Sequence, residues 1–219
     1  MSYSYRRANL NDVIFLSKVI MEAEKSGSDK MGLATIFNLS EAELQNYLIQ
    51  ILEEEIEGCE WSVSSYFIAE CDKSPVAAFA GWNEKENEDE QPSSILKSNL
   101  IGFVFPKEKL VEFQKNQKVI KGILIEREPH THQLEYAYVD KKHRGNGLTC
   151  KIIEQLLYVA KEQNPNLRKS QVQVFENNQS AIKVYERSGY KITKRQVSSH
   201  TEILNYLPWN VKLLMEKIL

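Results

Sequence analysis

The sequence has few cysteines and no long hydrophobic run among its 219 residues. Three cysteines (Cys59, Cys71 and Cys150) are a sparse and odd set, so we expect reduced thiols and a cytoplasmic location. No apolar stretch approaches the roughly 20 residues that cross a bilayer. The opening residues MSYSYRRANL contain arginines without the apolar segment of a secretory signal. We therefore expect neither a membrane protein nor a secreted disulfide scaffold.

A strong excess of either charge is also missing. The net charge is −2, which is not expected of a general nucleic-acid-binding protein. With 42% hydrophobic and 26% charged residues, the composition favours one folded domain over residues 1–219. The first half, residues 1–110, has a net charge of −9, and residues 111–219 carry +7. The basic half could bind an anion and the acidic half could attract a cation, although such asymmetry is commonly just solvated surface.

Hydrophobic periodicity and capping residues predict an alternation of strands and helices. Ser40 and Glu43 form the pattern of a capping box, and Gly189 is suited to end a helix. Residues 25–38 are predicted to be a loop. Predicted helices span 12–24, 40–56, 107–117, 148–162 and 178–188. Predicted strands span 3–7, 65–71, 76–82, 119–126, 133–140, 171–175, 190–195 and 211–218.

These elements predict a mixed α/β fold. The strands 133–140 and 171–175 are joined by a helix, so they should be parallel with a right-handed crossover. Residues 84–117 interrupt this pattern and are interpreted as an insertion within the domain, and the acidic segment 85–94 is expected to be exposed. The sequence shows no internal repeat.

The most informative segment joins the strand 133–140 to the helix that follows. It contains Arg144, Gly145 and Gly147 just before the helix begins. Glycine lets the backbone approach a ligand closely, and a helix N-terminus presents unpaired N–H groups to an anion. The segment therefore suits a phosphate or pyrophosphate, and a simple tight turn is the alternative.

Two nucleotide-binding motifs do not fit this segment. A dinucleotide-binding GxGxxG would need glycine or alanine where Cys150 stands, and the G-K-[ST] of a Walker A loop is absent. NAD or ATP is therefore a weaker interpretation of the loop.

The segment Arg144-Gly145-Asn146-Gly147-Leu148-Thr149 resembles the acyl-CoA loop, [RQ]-x-x-G-x-[GA], of the GNAT superfamily of N-acyltransferases. Thr149 departs from the pattern, where glycine or alanine is usual. Residues 178–190, NQSAIKVYERSGY, are similar to a second run of that family, N-x-x-A-x-x-x-Y-x-x-x-G-[FY]. Asn178 and Tyr185 are close to two helical turns apart and so share a face.

The resemblance implies a mostly antiparallel GNAT-like sheet with a central parallel strand pair, flanking helices and acetyl-CoA as the acyl donor. The parallel strands would splay apart so that the pantetheine arm lies between them. Backbone contacts would come from Ala137, Tyr138 and Val139. The pyrophosphate would bind the amides of Arg144, Gly145, Asn146, Gly147, Leu148 and Thr149. Asn178 and Ser180 would lie along the cofactor, and Tyr185 would point at the thioester sulfur.

The family's reaction is direct attack of an amine on the acetyl carbonyl. Tyr185 is the candidate acid for the departing thiolate because a phenol stays protonated at neutral pH. Glu135 is the candidate base, and alternation along the strand predicts that it shares a face with Ala137 and Val139. A solvent-facing glutamate and a water path are the alternatives, and Glu126 and Glu128 are further candidates. Tyr136 and Tyr138 are expected to point the other way into the core.

The acceptor is not specified by the motifs. The acidic first half favours a small cationic amine or an amino-acid-like molecule. A protein or peptide amine, and a non-catalytic acyl-CoA-binding module, are alternatives. The segment His130-Thr131-His132 is interpreted as a polar loop, and no metal is expected. A monomer or a homodimer would fit the family, with no nucleic-acid or membrane partner.

Overall fold

A computed structural model describes residues 2–85 and 87–219. Residue 1, within the predicted domain, and residue 86, within the predicted acidic segment, lie outside the described residues. The helices are α1 (Val13–Glu24), α2 (Gly32–Phe37), α3 (Glu41–Glu53), α4 (Ser93–Val104), α5 (Lys107–Lys121), α6 (Leu148–Gln163) and α7 (Gln179–Arg187). The strands are β1 (Tyr3–Arg7), β2 (Tyr66–Cys71), β3 (Ser74–Glu84), β4 (Thr131–Val139), β5 (Lys169–Phe175), β6 (Lys191–Val197) and β7 (Val211–Ile218).

The strands form one sheet in the order β1-β2-β3-β4-β5-β7-β6. Neighbouring strands run antiparallel except β4 and β5, which are parallel. The predicted mixed sheet with a central parallel pair is therefore confirmed. Within the described ranges, no helix combines the length and hydrophobicity that crossing a membrane requires.

Two hydrophobic cores lie on opposite faces of the sheet. One contains Leu16, Ile20, Leu48 and other apolar residues of α1, α2 and α3, packed on one face of β2, β3 and β4. The other lies between the opposite face and α6 with α7. The apolar residues that recur at helical spacing in α3 and α6 form one buried side of each helix, which explains the pattern that predicted both helices.

Two local predictions of secondary structure were wrong. Residues 25–38 contain α2, whose buried face includes Leu33 and Phe37. Residues 119–126 are not a strand, because α5 continues to Lys121 and irregular backbone follows. Side chains of β5 and β6, and not the backbone of a neighbouring strand, hydrogen-bond to this segment. Gln173 donates to the carbonyl of Ile125, and Gln196 donates to the carbonyl of Gly122.

The segment between β3 and β4 contains α4, which the sequence pattern did not predict. Ser93 at its start is buried, although 85–94 was expected to be exposed throughout. The reason is Glu84, a buried carboxylate that accepts hydrogen bonds from the Ser93 amide at 2.9 Å and the Ser93 hydroxyl at 2.5 Å. The acidic residues Glu88, Asp89 and Glu90 are exposed as predicted.

Candidate active site

The two central strands part at the middle of the sheet. β4 and β5 pair only through His132–Leu134 and Ser170–Val172. Beyond these residues no ladder pair joins the strands in the described part of the chain. The facing backbone edges are therefore available to a ligand.

A β-bulge lies in β4 at this point. Ala80 pairs with Glu135 and Ala78 with Tyr138, so two residues of β4 oppose the single residue Phe79. Tyr136, the first of the two, has a φ of +61°, which is unusual for a residue with a side chain. The bulge places adjacent residues of β4 on the same face of the sheet.

This bulge overturns the predicted orientation of Glu135. Its partner Ala80 and its neighbour Tyr136 belong to the core beneath α1, whereas Ala137 and Val139 pack against the core beneath α6 and α7. Glu135 therefore shares a face with Tyr136, not with Ala137. Strict alternation fails because the extra residue shifts the pleat by one.

The loop after β4 has the geometry expected of an anion-binding turn. The Asp140 carboxylate accepts from the Lys142 amide at 3.1 Å and holds the start of the loop. Gly145 and Gly147 have φ values of +82° and +73°, and a Cβ at either position would meet no atom within 4 Å. Leu148 begins α6, whose N-terminus has no side-chain cap. Its first amides therefore face the open space in front of the glycines.

A groove with a volume of about 490 Å³ runs past this loop and the parted strands. Eleven of the twelve residues proposed for the acyl donor line it: Ala137, Tyr138, Val139, Arg144, Gly145, Gly147, Leu148, Thr149, Asn178, Ser180 and Tyr185. Asn146 does not. Its side-chain amide donates instead to the carbonyl of His143 at 2.9 Å, which makes it a support of the loop.

Asn178 stands where α7 begins at the groove. Its side-chain oxygen accepts from the Ala181 amide at 3.2 Å and the Ser180 hydroxyl at 3.0 Å. Its side-chain nitrogen donates to the Ser26 hydroxyl at 3.3 Å, which ties α7 to the segment after α1. Asn178 therefore caps the helix and fixes one wall of the groove.

Several groove residues were not singled out by the motifs. Ser26 and Gly27 belong to the predicted loop 25–38, and the φ of +78° at Gly27 shows a sharp turn there. His143 lines the groove, and its Nδ1 lies 3.1 Å from the Tyr3 hydroxyl. The remaining lining residues are Glu22, Ala23, Cys150, Ala181, Val184 and Arg187.

Tyr185 lies on α7 and lines the groove. Its ring is buried and stacks on Phe79, with centroids 6.1 Å apart. Burial raises the pKa of the phenol above its ordinary value. No hydrogen-bond partner for the hydroxyl is found in residues 2–85 and 87–219. The phenol is thus a protonated donor with an unused hydrogen.

A network of charged residues lies on the α1 face beside the bulge. Glu60 is fully buried, and Arg127 binds both its oxygens at 2.9 and 3.2 Å while Lys97 donates at 2.9 Å. Burial opposes the charge of Glu60, but the two cations more than offset it and lower the pKa of this carboxyl. Arg127 also forms a very short contact with Glu135.

Glu135 is therefore an ion-paired carboxylate. Its side chain keeps 28% of its accessible surface, so a ligand can still reach it.

Glu24, at the end of α1, is a carboxylate that the motifs did not indicate. It accepts from the Tyr136 hydroxyl at 3.1 Å and the Leu33 amide at 3.0 Å. Burial raises its pKa, and the negative charge of Glu135 adds to the shift. Only the fold could reveal Glu24, because its partners come from distant segments.

His132 is not in a polar loop, as the sequence suggested, but buried in β4. Its Nδ1 lies 3.0 Å from Asn83 Oδ1, and burial lowers its pKa to about 3. Across the described chain, no group of three or more His, Cys, Asp or Glu side chains is arranged to hold a metal ion.

Comparison with known proteins agrees with this geometry. The sequence model of the acetyltransferase (GNAT) family matches residues 39–190. No curated protein matches the sequence. Among solved structures, an N-acetyltransferase from Staphylococcus aureus Mu50 is 14% identical with a TM-score of 0.63, covering 97% of this chain and 99% of that one.

Two further structures carry ligands. YncA of Salmonella typhimurium, solved with its cofactor acetyl-CoA, is 12% identical with a TM-score of 0.57, covering 100% of this chain and 94% of that one. Aminoglycoside acetyltransferase AAC(6')-Ib, in complex with coenzyme A and kanamycin, is 14% identical with a TM-score of 0.53, covering 99% and 95%. At these identities the likeness shows a common fold. The family model spans more than half of the sequence, and the chain therefore belongs to the acetyltransferase (GNAT) family.

Proposed function

We propose that this protein is an N-acetyltransferase that transfers the acetyl group of acetyl-CoA to a primary amine. The acceptor would be a small cationic amine or an amino-acid-like molecule. The observation that carries the proposal is one groove that joins an anion-binding loop, the parted strands β4 and β5, and the unused hydroxyl of Tyr185.

The hydrogen-bonding groups that line the groove suit an acyl-CoA thioester. The backbone amides from Arg144 to Thr149, with the Arg144 guanidinium nearby, would hold the pyrophosphate. The open edge of β4 at Ala137–Val139 would pair with the amides of the pantetheine arm. A Cβ at Gly145 or Gly147 would meet no atom within 4 Å, so the space beside these two residues is free for the phosphates. Thr149, which also lines the groove, is larger than the glycine or alanine that is usual at this position of the loop.

Acetyl-CoA supplies an acyl group on a good leaving thiolate. The side chains must therefore accept a proton from the amine and donate a proton to the thiolate. An alkylammonium has a pKa near 10.4, so a base must take a proton before the nitrogen can attack. Glu135 is our candidate, because its side chain is partly exposed and it belongs to the charged network on the α1 face of the sheet. Its side chain is held in place by the contact with Arg127.

Tyr185 would act on the leaving thiolate. As the new C–N bond forms and the C–S bond breaks, negative charge collects on sulfur. The buried phenol is protonated and has no competing partner, so it can donate its hydrogen to that charge. Glu135 takes the ammonium proton before the attack and releases it to solvent. The phenolic proton goes to the thiolate. The second nitrogen proton, which is lost as the amide forms, passes through solvent and restores the phenol.

The test is thermal unfolding of the purified chain with acetyl-CoA, with NAD and ATP as controls. A ligand at about 100 times its Kd that binds only the folded state adds roughly 2.7 kcal/mol. We expect a rise in Tm with acetyl-CoA alone, followed by amine-dependent thiol release. A rise without turnover on any amine would instead support a non-catalytic acyl-CoA-binding module. A rise with NAD or ATP in preference to acetyl-CoA would refute the proposed donor.

A further inference from the structure

Lys212 is a half-buried cation beside the place where β4 and β5 part. It lies on β7 opposite Phe175, the last residue of β5, and its ammonium is 5.3 Å from the centre of the Phe175 ring. Nζ makes no hydrogen bond or ion pair to any described residue. The last β5 residue paired with β4 is Val172, so Phe175 belongs to the splayed part of β5 and Lys212 stands beside the opening between the two strands.

The side chain lies on the acceptor side of the sheet. Val211 and Leu213 pack into the core under α6 and α7, so alternation places Lys212 on the opposite face. Phe175, its cross-strand partner, packs on the core under α1. This is the face that carries Glu135. Electrostatic interactions reach Lys212 from Glu135 and Glu24, which raise its pKa, and from Arg127 and Lys97, which lower it. Burial is the largest influence, and the pKa is lowered overall.

The carboxylates around Lys212 already have partners. Glu60 is bound by Lys97 and Arg127, and Glu135 by Arg127. Glu24 accepts from a phenol and a backbone amide. The ammonium of Lys212 is left with an aromatic face alone. A cation taken from water without an anion is costly, so this position is prepared for a negatively charged group that arrives with a ligand.

We propose that Lys212 binds a carboxylate of the acceptor, so that the acceptor is an amino acid or a similar molecule carrying both an amine and a carboxylate. This inference rests on the proposed acetyltransferase function. The acceptor's carboxylate would pair with Lys212, while its amine turns toward Glu135 and the parted strands. Opposite charges at the two ends of the site would orient a small zwitterion.

The experiment compares matched acceptors on wild type and variants. Each amino acid in a panel is paired with its decarboxylated amine, for example ornithine with putrescine and histidine with histamine. A charged hydrogen bond to carboxylate is expected to change kcat/KM by about 10- to 100-fold. In the pair that wild type turns over best, we expect kcat/KM to be higher for the amino acid than for its decarboxylated amine. Lys212→Met should lose that preference by lowering kcat/KM for the amino acid, while leaving the decarboxylated amine nearly unchanged. Lys212→Arg should restore part of the preference.

Lys217 provides the control on the same strand. It faces α6 and α7, near Gly189, so Lys217→Met should keep the preference. Thermal unfolding and the Tm rise with acetyl-CoA establish that each variant is folded and binds the donor. If Lys212→Met does not fold, Lys212→Gln and Lys212→Arg carry the comparison.

Three results would overturn the assignment of Lys212. Wild type could prefer decarboxylated amines, Lys212→Met could lower both members of a pair equally, as a proton-accepting lysine would, or the variant could change neither. Each of these leaves the proposed acetyltransferase function standing, because amines are still acetylated. If acetyl-CoA neither raises the Tm nor supports thiol release with any amine, both proposals fail together.

Discussion

Glu135 lies opposite Ala80 in the β3–β4 ladder, one residue before the bulge that begins at Tyr136. Ala80 is buried in the core under α1, so the Glu135 carboxylate is on that face too. The groove residue Ala137 is on the other face. The bulge thus separates the residues proposed to hold the donor from the carboxylate proposed to meet the acceptor, although only one residue lies between Glu135 and Ala137 in the sequence.

Glu135→Gln should therefore impair proton removal from the acceptor. We expect kcat/KM at pH 7 to fall by about 100-fold or more, the range for loss of a general base. The deficit should shrink as pH rises toward the pKa of the amine, because less proton transfer is then needed. Steady-state thiol release from pH 6.5 to 9.5 measures this.

Glu70→Gln is the matched control for Glu135. Glu70 on β2 pairs with Arg6 at 2.8 Å, away from the groove, so its loss should leave kcat/KM unchanged. Equal rates for wild type and Glu135→Gln at pH 7 would contradict the assignment. If Glu24→Gln shows the pH-dependent loss instead, Glu24 is the base.

Tyr185→Phe removes one hydroxyl and keeps the ring that stacks on Phe79. We expect kcat to fall by roughly 100-fold or more, because the thiolate then leaves without a proton donor. The Tm rise with acetyl-CoA should persist, since the remainder of the groove is intact. Single-turnover thiol release with saturating donor and acceptor separates the chemical step from binding.

Tyr190→Phe tests whether any buried phenol has this effect. The Tyr190 hydroxyl lies 2.7 Å from the Ser170 hydroxyl and does not line the groove. Its removal should cost about 1 kcal/mol of folding free energy and spare kcat. Unchanged turnover in Tyr185→Phe would contradict the assignment of Tyr185 as the acid that protonates the thiolate.

Gly147 and Gly102 have open space at the Cβ position but different backbones. Gly147 has a φ of +73°, so Gly147→Ala should cost about 1–2 kcal/mol in folding free energy. Its methyl group would also enter the groove, and the Tm rise with acetyl-CoA should shrink. Gly102 is exposed within α4, where alanine should add about 0.5–1 kcal/mol and leave donor binding unchanged. Urea unfolding with and without acetyl-CoA checks both; a full ligand response in Gly147→Ala would contradict the proposed position of the phosphates.

Local pattern was sufficient for most of the fold. The capping box of Ser40 and Glu43 is present at the start of α3, and the Asp72-Lys73 turn joins β2 to β3. The glycine-containing turn and the start of α6 also lie where the sequence predicted them, since the glycines and the first residues of the helix are contiguous in sequence. Strand 119–126 was wrong because its apolar residues continue a helix and then pack in irregular backbone.

The acceptor side of the site could not be predicted from local pattern. The bulge at Tyr136 depends on pairing with β3, and no propensity of Tyr136 itself indicates a positive φ. The charged network joins Glu60, Lys97, Arg127 and Glu135 from four separate segments. Such long-range contacts become visible only when the register and the packing of the helices are known.

His132 gives a pH dependence of stability with a definite sign. Its neutral ring has Nδ1 at 3.0 Å from Asn83 Oδ1, while Nε2 is buried against Gly81 without a hydrogen-bond partner in the described chain. Burial lowers the folded-state pKa to about 3, from an unfolded value near 6.5. Stability from this group is complete above pH 6.5 and is lost as pH falls toward 3, because only the unfolded chain takes up the proton. At pH 5 the loss should be about 2 kcal/mol.

The His132 contribution is isolated by comparing wild type with His132→Gln in urea unfolding at pH 7.5 and pH 5. Carboxylates affect both proteins alike, so the difference between the two pH values should be about 2 kcal/mol smaller in the variant. His130→Gln is the control, because His130 is exposed two residues away and should follow wild type. Parallel pH profiles for wild type and His132→Gln would mean that the imidazole gains its proton in the folded state, and that burial in β4 does not exclude the charge.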